Sequence, residues 1–149
     1  MSEQVILLVE DDPADEALAI HALEQNNIGN SIAVARDGAE ALDYLFGTGA
    51  YEGRDVSALP QVVLLDLKLP KIDGMEVLRR IRADERTILL PVVILTTSDE
   101  EDDMVRGYRL GANSYVRKPV NFDDFMSVVK QLGLYWVVIN KCPPGGCAP

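Results

Sequence analysis

The stretch Val5–Ile20, VILLVEDDPADEALAI, sets five apolar residues against four acids in the next six positions: Glu10, Asp11, Asp12 and Asp15. An apolar run this short, stopped by charge, predicts a buried strand over Val5–Val9. A helix is expected to follow, with Asp12 as N-cap and Pro13 at its first position. Leu18, Ala19, Ala22 and Leu23 then share one helical face, and His21 falls off it as a solvated residue. Like charges repel, so the crowding of acids at a strand end calls for a physical reason.

Working outward, the same alternation recurs. SIAVA (Ser31–Ala35) predicts a second strand, and DGAEALDYLFG a helix capped by Asp37 and stopped at Gly47. The segment from Thr48 to Pro60 is a long loop. VVLLD (Val62–Asp66) is a continuous apolar run, as expected of a strand covered on both faces. GMEVLRRIRAD is helical, PVVILTTS is a fourth strand, EEDDMVRGYRLGA a helix, SYV a short fifth strand and FDDFMSVVKQLG the last helix. Strands alternating with helices imply parallel pairing and right-handed connections. The expected fold is therefore α/β: a doubly wound, five-stranded parallel sheet with helices on both faces, of the flavodoxin-like kind. Such sheets bind ligands at the C-terminal strand ends, beside the topological switch point.

Those ends carry Glu10-Asp11, Asp66, Thr96-Thr97 and Lys118-Pro119. Gathered carboxylates are tolerable around a hard cation, and Mg2+ takes oxygen ligands. Asp11 and Asp66 would supply two ligands, and Glu10 would reach the ion directly or through water. Lys118 adds opposing charge and Thr96 a hydroxyl. A carboxylate can act as nucleophile and form an aspartyl-phosphate, and phosphoryl transfer depends chiefly on positioning and charge neutralisation. Asp66 is the expected nucleophile because it follows the most apolar strand. The simplest structural readings of the remaining residues are a cap for Asp12, a first-turn acid for Asp15, a cap for Asp73, a half-buried aromatic for Tyr115 and a solvated helix face for Arg79, Arg80 and Arg82. The Lys118–Pro119 bond is left open between cis and trans.

The chain has 149 residues and a net charge of −10, which suits one domain and argues against nucleic-acid binding through a basic face. No run is long and apolar enough for a membrane span, and the N-terminus lacks a signal-peptide pattern, so a cytoplasmic location is expected. Cys142 and Cys147 both lie in KCPPGGCAP and are expected to be free thiols there.

ILLVEDD, VVLLDLKLPKIDGMEVL, LPVVILTTS and GANSYVRKPV stand in an order and spacing that resemble the receiver domains of bacterial two-component response regulators. The resemblance runs from about Val5 to Leu132 and implies a CheY-like fold. It implies that Glu10 and Asp11 organise Mg2+, that Asp66 is the phosphoacceptor, and that the backbone carbonyl of Lys68 is a further metal ligand. It also makes Thr96 the switch hydroxyl, Lys118 the lysine that pairs with the phosphoryl group, and Tyr115 the aromatic whose rotamer follows Thr96. The chain would then catalyse only its own phosphorylation and dephosphorylation. More narrowly, VLLDL, LTTS, the loop FGTGAYEGRDVSALP and the late YW are similar to stand-alone regulators paired with phytochrome-type histidine kinases.

A haloacid-dehalogenase-type phosphatase would want a second Asp where this chain has Lys68. A flavodoxin-like flavin protein would want a Gly/Ser/Thr-rich first loop where this chain has EDDPAD. A degenerate receiver acting only as a binding module would lack some of the site positions, and all are filled. The expected division is a receiver over 1–133 and an apolar extension and tail over 134–149, with no output domain. LYWVVIN (Leu134–Asn140) is too apolar for a solvated tail; packing on its own domain and an extended arm making a homodimer are both open, with the dimer favoured. The downstream partner is expected to be a protein.

Overall fold

The computed structural model describes residues 4–27 and 30–147; the outer ends of the two expected segments, 1–3 and 148–149, lie outside the described residues. The elements are β1 (Gln4–Val9), α1 (Pro13–Glu24), β2 (Asn30–Ala35), α2 (Gly38–Phe46), β3 (Val62–Leu65), α3 (Gly74–Ala83), β4 (Val92–Thr96), α4 (Glu101–Arg109), β5 (Ser114–Arg117) and α5 (Phe122–Gly133). The strands form one five-stranded sheet in the order β2-β1-β3-β4-β5, every pair parallel. The order reverses between β1 and β3, which is the switch point the alternation predicts.

Successive strand residues face opposite sides, and the core splits accordingly. Leu7, Val9, Val63, Leu65, Val92 and Ile94 pack with Leu45 of α2 and Val77, Leu78 and Ile81 of α3. Ile6, Leu8, Val62, Leu64, Val93 and Leu95 pack with Ala19 and Leu23 of α1 and Phe125 and Val129 of α5. Residues of β3 and β4 are buried throughout, because both faces are covered. The caps follow the sequence: Asp12, Asp37 and Asp73 each accept backbone N–H groups at the starts of α1, α2 and α3, and Gly47 ends α2 at φ 67°. His21 is exposed, beside Gln25.

Three expectations are corrected. The apolar run is not an extended arm: Leu134–Ile139 continues from α5 as π-helical turns, with Asn140 N donating to Tyr135 O. The rotation of these turns buries Trp136 and Val137 in the same layer as Phe125 and Val129, and leaves Leu134, Tyr135, Val138 and Ile139 exposed. Cys142 and Cys147 are not free thiols but form a disulfide. A turn closed by Gly146 N donating to Pro143 O, with Gly145 at φ 81°, brings their Cα atoms to 5.9 Å, within bridging range. Arg82 is not on a solvated face. It is half-buried and donates to the carbonyls of Gly111, Thr87 and Ile88 and to Asn113 Oδ1, tying the end of α3 to the turn before β5. Arg79 and Arg80 are exposed as expected, paired with Glu76.

Trp136 is 8% exposed. Trp136→Ala should lower unfolding free energy by about 3–5 kcal/mol, the cost of emptying a large aromatic site. Urea unfolding followed by circular dichroism measures it; an unchanged midpoint would show that the π-helical turns do not contribute to the core.

Candidate functional site

Strand register assembles the site. Val9 lies opposite Leu65, and Asp66 N donates to Val9 O at 3.1 Å, so the residues that follow, Glu10 and Asp66, emerge side by side. Thr96 ends β4, and Lys118 N donates to Thr96 O at 2.6 Å, which delivers Lys118 to the same edge. No peptide bond among the described residues is cis, so Lys118–Pro119 is trans.

The Lys118 ammonium donates to Glu10 Oε2 at 2.5 Å, Asp15 Oδ2 at 3.0 Å and Asp66 Oδ2 at 3.1 Å. Its side chain is 4% exposed. An ammonium has three protons, and each is matched here to a different carboxylate. Glu10 Oε1 also accepts from Asp12 N, and Asp66 Oδ1 from Lys68 N. Burial pushes the Glu10 carboxyl up to about 7, with the Asp66 charge adding to the rise and Lys118 opposing it. Burial works to lower the Lys118 ammonium, but the carboxylates of Glu10, Asp66 and Asp15 outweigh it and hold it above its ordinary value.

One carboxylate oxygen from each of Glu10, Asp11 and Asp66 lies within 4.8 Å of the others, with Glu10 and Asp66 buried and Asp11 exposed. A donor set made only of oxygens, with one open side, fits a hard divalent cation. Thr96 is fully buried, and its hydroxyl oxygen accepts from Ser98 N at 3.4 Å. Tyr115 is half-buried, as expected; its hydroxyl donates to Ser98 O at 2.9 Å, and Ser98 Oγ donates to Asp103. Gly74 holds the floor: a Cβ there would lie 2.2 Å from Asp66 O, so α3 can start against the strand end only with glycine.

The structure thus brings together Glu10, Asp11, Asp66 and Lys118 as the sequence predicted, and places Thr96 at the end of β4 and Tyr115 in β5, both bonded to Ser98 on the loop after β4. Two participants escaped the sequence reading. Asp15 is more than a first-turn acid, since it bonds Lys118; its position in the first turn of the helix that follows β1 was the available signal. Ser98 links Thr96, Tyr115 and α4, and nothing in its type marks it.

The family model of the response regulator receiver domain matches residues 6–130. The chain belongs to that family. The receiver is 45% identical over 93% of its length, and 87% of the relative's, to the probable methanogenesis regulatory protein FilR2 of Methanothrix harundinacea. It is 40% identical to response regulator Rcp1 of Synechocystis, over 94% of this receiver and 93% of that protein. The Mn2+-bound structure of Rcp1 superimposes with a TM-score of 0.87 at 38% identity, covering 94% of this chain and 99% of that one. The phosphorylated cyanobacterial phytochrome response regulator RcpA gives 0.88 at 38% identity, covering 95% and 99%. The receiver is a component of two-component signalling, and the rival phosphatase and flavin readings gain no support.

The raised Glu10 carboxyl makes a pH prediction. Between its ordinary value of 4.5 and about 7, the folded state keeps a proton that the unfolded chain has lost. Stability of the chelator-treated receiver should therefore fall as pH rises through that window and level off above it. Glu76 and Asp84, held near 2 by Arg79 and Arg86, titrate below it. Thermal melts from pH 5 to 8 on wild type and Glu10→Gln check this: the variant should lack the wild-type fall, and parallel curves would contradict it.

Proposed function

We propose that this receiver takes a phosphoryl group from a histidine kinase onto Asp66, with Mg2+ held by Glu10, Asp11, Asp66 and the backbone carbonyl of Lys68. The observation that carries the reading is the buried Lys118 bridging Glu10 and Asp66 beside an oxygen-only cluster. An Asp66 oxygen attacks phosphorus, the bond from phosphorus to the kinase imidazole breaks, and the imidazole nitrogen keeps the bond's electron pair. Mg2+ supplies charge neutralisation there when bound. Lys118 and the Thr96 hydroxyl receive the phosphoryl oxygens. Turning Thr96 toward them removes the oxygen that Ser98 N contacts, and Tyr115, bonded to Ser98 O, adjusts with the loop. Contacts made only in the phosphorylated state shift the population toward an altered surface at α4 and β5. Hydrolysis of the acyl phosphate at the same site resets it, so the receiver catalyses only its own turnover.

RcpA supports a phytochrome-type kinase as the partner. A cytoplasmic location accords with this role, and no helix among the described residues is long and apolar enough to cross a membrane. We place the receiver unit in 1–133 and an appended segment in 134–149. The exposed Leu134, Tyr135, Val138 and Ile139 form the surface through which two copies associate, and the altered face addresses a protein target, not nucleic acid, given the net charge of −10.

Incubation with acetyl phosphate and Mg2+, followed by intact mass and site mapping, tests the assignment. Wild type should gain one phosphoryl mass on Asp66, Asp66→Asn none, and wild type none in excess chelator. Full labelling of the variant would exclude Asp66.

Association is checked by light scattering. The wild-type chain should show dimer mass and the double variant Val138→Asp/Ile139→Lys monomer mass, with Trp136 and Val137 left in place. A monomeric wild type, with or without the phosphoryl group, removes the dimer.

A further inference from the structure

Of the three carboxylates on Lys118, Glu10 and Asp66 also belong to the candidate cation cluster, and Asp15 alone does not. Asp15 comes from the first turn of α1, where its own N–H is held by Asp12 Oδ1 at 3.2 Å. A cation taking oxygens of Glu10 and Asp66 competes with Lys118 for them. Lys118 is too buried to retreat into water, and an ammonium left unpaired there would oppose cation entry.

We infer that Asp15 is a positioning residue that retains the Lys118 ammonium while a divalent cation displaces it from Glu10 and Asp66, and so sets how readily the cation enters. This rests on the proposed phosphoacceptor site. Asp15 keeps one proton of the ammonium, and the two released protons are free to turn to the phosphoryl oxygens. Its carboxylate need not touch the cation or the phosphoryl group; it acts through Lys118.

Calorimetric Mg2+ titrations of wild type, Asp15→Asn, Lys118→Met and the double variant test this. Asp15→Asn preserves size and an acceptor oxygen but removes the charge. It should weaken Mg2+ binding about three- to tenfold, in the lower part of the range of coupling between residues in contact, and the loss should fall below about twofold in the Lys118→Met background, as expected when one residue acts through the other. An equal loss in both backgrounds would mean that Asp15 acts only as a through-space charge, and no loss that it is only a first-turn acid; either overturns the inference. A second readout does not depend on the Lys118 variant folding. The 15N-edited side-chain ammonium signal of Lys118 should stay in slow exchange with water when Mg2+ is added to wild type and should broaden in Asp15→Asn. A sharp signal in both overturns the inference. Wild type that binds no divalent cation would sink the phosphoacceptor reading with it, whereas wild type that binds Mg2+ and is labelled on Asp66 while Asp15→Asn is silent would sink this inference alone.

Discussion

A single buried ammonium, that of Lys118, holds three carboxylates together at the C-terminal edge of the sheet. Without it, Glu10 and Asp66 would face each other in a poorly solvated pocket, where repulsion and desolvation both oppose ionisation. One positive charge faces three carboxylates, which leaves negative potential over; burial, with the Asp66 charge adding to it, pushes the Glu10 carboxyl up to about 7 against the pull of Lys118. A site with this excess of oxygen charge is prepared for a hard cation. Once a cation is present, it can tolerate the further charge of a phosphoryl group.

Everything beneath the site serves to keep those groups at fixed separation. The β1–β3 register aligns the strand ends, the β4–β5 pairing delivers Lys118, and Gly74 lets α3 begin hard against Asp66. The two apolar layers then make the sheet stiff, because each strand interlocks with helices on both sides. At the opposite end, Arg82 joins α3 to the turn before β5, and the disulfide-closed turn of the tail lies beside Gln61.

By contrast, α4 is held lightly. Gly107 is its one buried residue, and a Cβ there would lie 2.7 Å from Ile94 Cδ1. Its start is connected to the site through Ser98, which meets Thr96, Tyr115 and Asp103. Few buried apolar contacts mean a low local cost of rearrangement, so this is the part of the molecule that a change at Thr96 can move.

The alternation of apolar runs and capped helices determined the fold from the chain alone, because buried parallel strands and amphipathic helices impose distinct periods on the sequence. The main site residues were legible for the same reason: Glu10, Asp11, Asp66, Thr96 and Lys118 each follow or end a strand, and a parallel sheet gathers such ends. Only the tertiary structure decided which acid does what. Asp12 and Asp15 look alike in EDDPAD, but the pitch of α1 turns one onto the helix N-terminus and the other onto Lys118. Only it decided the late apolar run as well: six apolar residues do not say whether they are strand, arm or helix, and the π-helical turns that bury Trp136 and Val137 arise from the surface that α1, α5 and the sheet leave open. Spacing along a chain reports period and edge, whereas the direction of a single side chain depends on what the rest of the fold has already filled.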